Sequence, residues 1–152
     1  MATDATTLEV PGPDEVRQVR ISSPDRVLWP DAGITKLHLA HYLLAVGERF
    51  LDLVGHRPVT LQRFPTGIEG EEFYSKNPPR GVPPWTRTVV VTYPSGRKPP
   101  QLVMDEVAPA TWASQMNTVA FHPRPGAAGA GHAHAAPARA PWLGSADVSS
   151  GF

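Results

Sequence analysis

Apolar residues recur at helical spacing along residues 36–54: Leu37, Leu39, Ala40, Leu43, Leu44, Val46, Phe50, Leu51 and Val54. The pattern predicts one long helix, capped by Thr35 and stopped at Gly55. Elsewhere the apolar positions alternate. Residues 16–21, 57–64, 71–75, 85–93 and 101–104 read as strands, with Pro65-Thr66-Gly67 and Pro94-Ser95-Gly96 as the turns between pairs of them. A second helix is expected from about residue 107 to 118, with Pro109 tolerated in its first turn and Trp112, Met116 and Val119 as its buried stripe. Residues 119–123 then enter another strand. The expected fold class is α+β: a small, mostly antiparallel mixed sheet with a long helix packed on it.

The two ends of the chain differ from this middle. Residues 1–15 are polar and acidic and carry Pro11 and Pro13, which reads as a flexible lead-in. Residues 124–152 are dominated by Ala, Gly, Pro and His and show no periodicity, so a disordered tail is expected there. One domain over residues 16–123 is left between them. The 152 residues suffice for a core, and the formal net charge is zero. Charge is nevertheless uneven, because residues 16–100 hold twelve basic residues against seven acidic ones, an excess compatible with a phosphate-facing surface. Cysteine is absent, which removes disulfides and thiolate metal sites. No signal-like start or membrane-length apolar run is present, so a cytoplasmic, nucleoid-associated protein that does not enter the membrane is expected.

Candidate chemistry begins at residues 22–36. Arg26 and Lys36 flank an aromatic turn, Leu28-Trp29-Pro30, that leads through Gly33 to a helix start at Thr35. Two cations beside the free amides of a helix start can grip a phosphate. The same spacing also suits a surface turn with two solvated charges. His38 and His41, three apart on the helix, suit either a metal or a plain polar face. Arg63, Phe73, Tyr74 and Lys76 are expected on one hairpin, as a basic rim carrying aromatic rings that suits unpaired bases, while Phe64 is core. Glu69 and Glu71 read as a solvated loop, and His132 and His134 as a feature of composition.

Several of these motifs, in this order, resemble one family. Asp25-Arg26-Val27-Leu28-Trp29-Pro30, Gly33-Ile34-Thr35-Lys36, the run from Gly55 to Gly67, Phe73-Tyr74-Ser75-Lys76, Trp85-Thr86-Arg87-Thr88-Val89 and the stretch from Asn117 to His122 are similar to the amino-terminal part of the polymerase domain of bacterial DNA ligase D, a member of the archaeo-eukaryotic primase superfamily. The resemblance implies a primase-like fold acting in double-strand break repair by non-homologous end joining. It implies that Arg26 and Lys36 bind a DNA 5′-phosphate, that Arg63, Phe73, Tyr74 and Lys76 contact backbone and template, and that His122 faces the phosphates of an incoming nucleotide. It also implies DNA ends as ligand, with Ku and a ligase or a separate catalytic polypeptide as partners. Gln62 departs from the family, in which lysine is frequent at this position, and weaker phosphate affinity follows.

Nucleotidyl transfer by two metal ions requires convergent carboxylates. The family draws them from an Asp-x-Asp pair beyond the position of His122, together with Mn or Mg and nucleoside triphosphates. The 152 residues contain no Asp-x-Asp. No catalytic residue, metal ligand or cofactor is therefore assigned within them. The expected function is DNA-end binding without catalysis by this chain alone. An active or split nucleotidyltransferase and a truncated remnant with an out-of-frame tail are the alternatives.

Overall fold

The computed structural model describes residues 4–125. Its centre is a helix, α3 (Val107–Gln115), whose residues 107–114 are all buried. That degree of burial requires cover on several sides. One cover is a hairpin of β1 (Thr6–Pro11) and β2 (Val16–Ile21), paired antiparallel from Thr6–Ile21 to Pro11–Val16. Leu8, Val10, Val19 and Ile21 point from it into the core, while Glu9 and Gln18 point out. A second cover is the helix α1 (Lys36–Ala45), through Ala40. The third is the main sheet.

Every pairing in that sheet is antiparallel. Its axis is β5 (Pro58–Arg63), which pairs with β9 (Thr118–Pro123) along nearly its whole length. The other edge of β5 is shared. Its start pairs with β8 (Pro100–Val103) and its end with β6 (Phe73–Ser75), while β7 (Arg87–Val90) extends the sheet beyond β8. Val59, Leu61, Leu102 and Met104 join Val107, Ala110 and Trp112 in one apolar cluster. A smaller cluster of Leu28, Leu39 and Leu43 anchors the hairpin of β3 (Val27–Trp29) and β4 (Ile34–Thr35).

The α+β class with its antiparallel sheet is present as expected, and three local expectations are corrected. The flexible lead-in contains β1, because Leu8 and Val10 alternate with Thr7 and Glu9 and supply two core residues. The single helix over residues 36–54 is two, α1 and α2 (Gly47–Val54), broken at Val46. Gly47 packs so closely on Val107 that an added Cβ would fall 2.5 Å from its methyl group, so any side chain at this junction would have to displace Val107. The turn at residues 28–30 belongs to the β3–β4 hairpin, which Gly33 closes with a positive φ of 65°. The tail expected to be disordered, with His132 and His134, lies outside the described residues apart from Arg124 and Pro125.

Candidate nucleic-acid interface

The start of α1 is closed by its own chain. Thr35 Oγ1 accepts from the His38 amide, and the Thr35 amide donates to His38 Nδ1 at 2.9 Å, a reciprocal cap in which histidine takes the usual place of glutamate. The Lys36 amide donates to the Arg26 carbonyl at 2.8 Å and the Leu37 amide to that of Pro24 at 3.0 Å. No amide of this first turn is left for an anion, which corrects the expectation that they would favour one. The cap engages Nδ1 of His38, one of the two histidines on this helix.

Lys36 is turned inward. It is only 4% exposed, and its Nζ donates to the Ser22 carbonyl at 2.7 Å and to Ser22 Oγ at 3.4 Å. Gln115, at the end of α3, grips Ser22 from the other side: Oε1 accepts from the Ser22 amide and Nε2 donates to Ser22 Oγ, both at 2.7 Å. Burial, and then the charge of Arg26, push the Lys36 ammonium down to about 8. Arg26 itself is exposed, with one Nη1 hydrogen bond to the Pro65 carbonyl. Among the described residues neither cation has a carboxylate partner.

The aromatic and basic residues expected together on the β5–β6 hairpin fall on two faces, because successive strand residues point opposite ways. Phe73 sits directly across from Arg63, whose guanidinium lies 4.6 Å from the centre of its ring. Arg63 also donates to the Met116 carbonyl at 2.9 Å and to Ser75 Oγ at 3.3 Å, and burial lowers its pKa. It braces β5 against β6 and the end of α3, and does not stand in an open basic rim. Tyr74 lies on the other face, opposite Gln62, with its ring centre 5.6 Å from that of His122.

Lys76, two residues beyond Tyr74, lines a cleft of about 320 Å³ together with Tyr74, Asn77, Tyr93, Ser95, Arg97 and Pro99. The cleft exists because β6 and β8 share one edge of β5, which brings the tip of the β7–β8 connection against β6. Tyr93 and Arg97 are held at that tip by their backbones, the Tyr93 amide donating to the Arg97 carbonyl at 2.8 Å. Arg124 lies 5.0 Å from the Tyr93 ring centre. Tyr93, Arg97 and Arg124 were not singled out from the sequence. The signal was the basic pair Arg97-Lys98 after a proline-glycine turn, but nothing in the sequence said which strand that turn would face.

The wall so formed carries the exposed ring of Tyr74, the half-buried ring of Tyr93, and cations, with no carboxylate among its lining residues. It can stack on planar groups and neutralise phosphates. Among the described residues no three His, Asp or Glu side chains converge on a point where a metal ion could sit.

Comparison with known proteins bears on the family and the fold. Residues 35–139 match the family model for the LigD primase-polymerase domain. The chain is 29% identical over 111 residues to the multifunctional non-homologous end joining protein LigD of Mycolicibacterium smegmatis and 34% identical over 104 residues to that of Pseudomonas aeruginosa. These matches span 73% and 68% of this chain but only 14% and 12% of the relatives. The fold is similar to that of the polymerase domain from Mycobacterium tuberculosis ligase D in complex with DNA, with a TM-score of 0.65 and 28% identity, over 69% of this chain and 36% of that one.

Proposed function

The chain belongs to the LigD primase-polymerase domain family, and from that membership we propose that it is a DNA-end-binding unit acting in double-strand break repair by non-homologous end joining. The 5′-phosphate is taken at Arg26 and Lys36. The observation that carries this reading is that two cations press on one another electrostatically, one of them buried, with no counter-charge among the described residues. Such an arrangement is costly alone and becomes favourable once an anion binds. Lys36 then exchanges its Ser22 acceptors for phosphate oxygens, while Arg26 supplies its remaining donors in a fork suited to the same group.

Beyond the phosphate, Tyr74 and Phe73 stack on bases, Lys76 and Arg97 neutralise the backbone, and His122 faces the phosphates of a nucleotide. Arg63 acts through Phe73, by holding its ring. The fold match to a polymerase domain in complex with DNA supports a nucleic-acid ligand. Ku and a ligase are proposed partners on family membership alone. Because the sequence contains no Asp-x-Asp pair, nucleotide addition needs carboxylates from outside these residues, and binding is the role assigned here.

Fluorescence anisotropy on gapped DNA carrying a recessed 5′-phosphate, against the same DNA with a 5′-hydroxyl, tests the reading. Tighter binding of the phosphate form is expected, and equal binding would refute a phosphate site.

A further inference from the structure

On the open face of the sheet Gln62 lies opposite Tyr74 across β5–β6, beside the Thr60–His122 pair of β5–β9. Its amide is held at both ends. Nε2 donates to the Glu72 carboxylate, and Oε1 lies 2.8 Å from His122 Nε2. An ionised carboxylate only accepts, so it selects the amide nitrogen and turns the amide oxygen toward the histidine. An acceptor facing Nε2 places the ring proton there. In the neutral ring Nδ1 then offers only a lone pair, which repels an anion.

We propose that Gln62, aimed by Glu72, is a positioning residue that fixes neutral His122 as its Nε2–H tautomer, so that the ring donates to a phosphoryl group only when protonated. This deepens the nucleotide-phosphate role proposed for His122 and rests on it. The imidazolium keeps its bond to Gln62 and adds an Nδ1–H directed at the ligand. A phosphoryl ligand therefore binds with uptake of a proton wherever the free ring is neutral.

The groups around the ring agree with that reading. From β6 and its extension come Tyr74, with ring centres 5.6 Å apart, then Lys76, while Glu72 acts through Gln62. Just past the end of β9 comes Arg124, whose guanidinium rests on Tyr93. β5 presents only the neutral Thr60 and Gln62 on this face, since alternation sends Arg63 to the other. A lysine at position 62, frequent in the family, has the opposite consequence. Its ammonium can only donate, so Nε2 must accept, the proton moves to Nδ1, and the neutral ring becomes a phosphate donor.

Long-range proton–nitrogen NMR on the whole chain, at a pH where His122 is neutral, reads the tautomer directly. The expected result is Nε2–H in the wild type and Nδ1–H in Gln62→Lys. The same tautomer in both proteins, or Nδ1–H in the wild type, overturns the proposal. Glu72→Gln, at an exposed position, is a second variant, in which the freed amide turns and the Nε2–H preference weakens; an unchanged preference counts against the relay. Titration with a nucleoside triphosphate then separates the two levels. Wild-type affinity is expected to fall toward tenfold per pH unit once the ring is neutral, with a flatter profile in Gln62→Lys. A profile equally flat in both refutes the proton coupling. Expected tautomers with no triphosphate binding in either protein uphold the positioning by Gln62 and refute the nucleotide role of His122.

Discussion

Lys36 Nζ lies 2.7 Å from the carbonyl oxygen of Ser22, inside the protein, although Lys36 is the first residue of a helix. Its ammonium is lowered from an ordinary value of 10.5 to about 8, first by burial and then by Arg26. The unfolded chain therefore binds more protons than the folded one between these values, and stability rises as pH climbs from about 8 toward 10.5. Urea unfolding across that window should show the rise, and Lys36→Met should flatten it.

Gln115 holds Ser22 by two hydrogen bonds, and Ser22 in turn receives Lys36. Removing the amide leaves a half-buried backbone donor unpaired. Gln115→Ala is expected to cost about 1–3 kcal/mol in chemical denaturation. It should also weaken discrimination of a DNA 5′-phosphate, because Lys36 loses the frame that places it.

Leu8 is 8% exposed and belongs to the main apolar cluster. Leu8→Ala is expected to destabilise by about 2–5 kcal/mol, as for other core truncations. A thermal melt unchanged by it would mean that β1 contributes nothing to the core.

Lys76 and Arg97 face each other across the cleft without carboxylate partners among the described residues. If each neutralises one phosphate of single-stranded DNA, replacing either with Ala reduces the slope of log affinity against log salt by roughly 0.7. Tyr74→Ala should weaken binding with no change of slope, by about 1–3 kcal/mol for one stacked base. Affinity measured between low and moderate salt distinguishes the two effects.

The elements with long, clean periodicity were legible in the sequence. β2, β5, β8, α3 and β9 fall within a few residues of their expected bounds, although α3 is buried on every side rather than along one stripe and stops at Gln115, before Met116 and Val119. β1 was obscured because its two core residues, Leu8 and Val10, stand among acids and prolines that dominate the local composition. The break at Val46 was hidden for another reason: the apolar repeat continues straight through it, from Leu44 to Phe50. Arg26 was legible as an exposed cation. The inward course of Lys36 was not, because its partner Ser22 is held from residue 115, far along the chain. Phe73 and Tyr74 were read as one platform, although strand alternation alone would have separated them.

The most direct measurement of the central claim crosses a change in the protein with a change in the DNA. Affinities are measured for wild type and Arg26→Ala, each on gapped DNA ending in a 5′-phosphate and in a 5′-hydroxyl, at fixed moderate salt. Arg26 is exposed, so its replacement should leave the fold intact. The wild type is expected to prefer the phosphate by roughly tenfold, about 1.4 kcal/mol, and Arg26→Ala to lose most of that preference. A preference of the same size in both proteins, or none in the wild type, would contradict a 5′-phosphate site at Arg26 and Lys36.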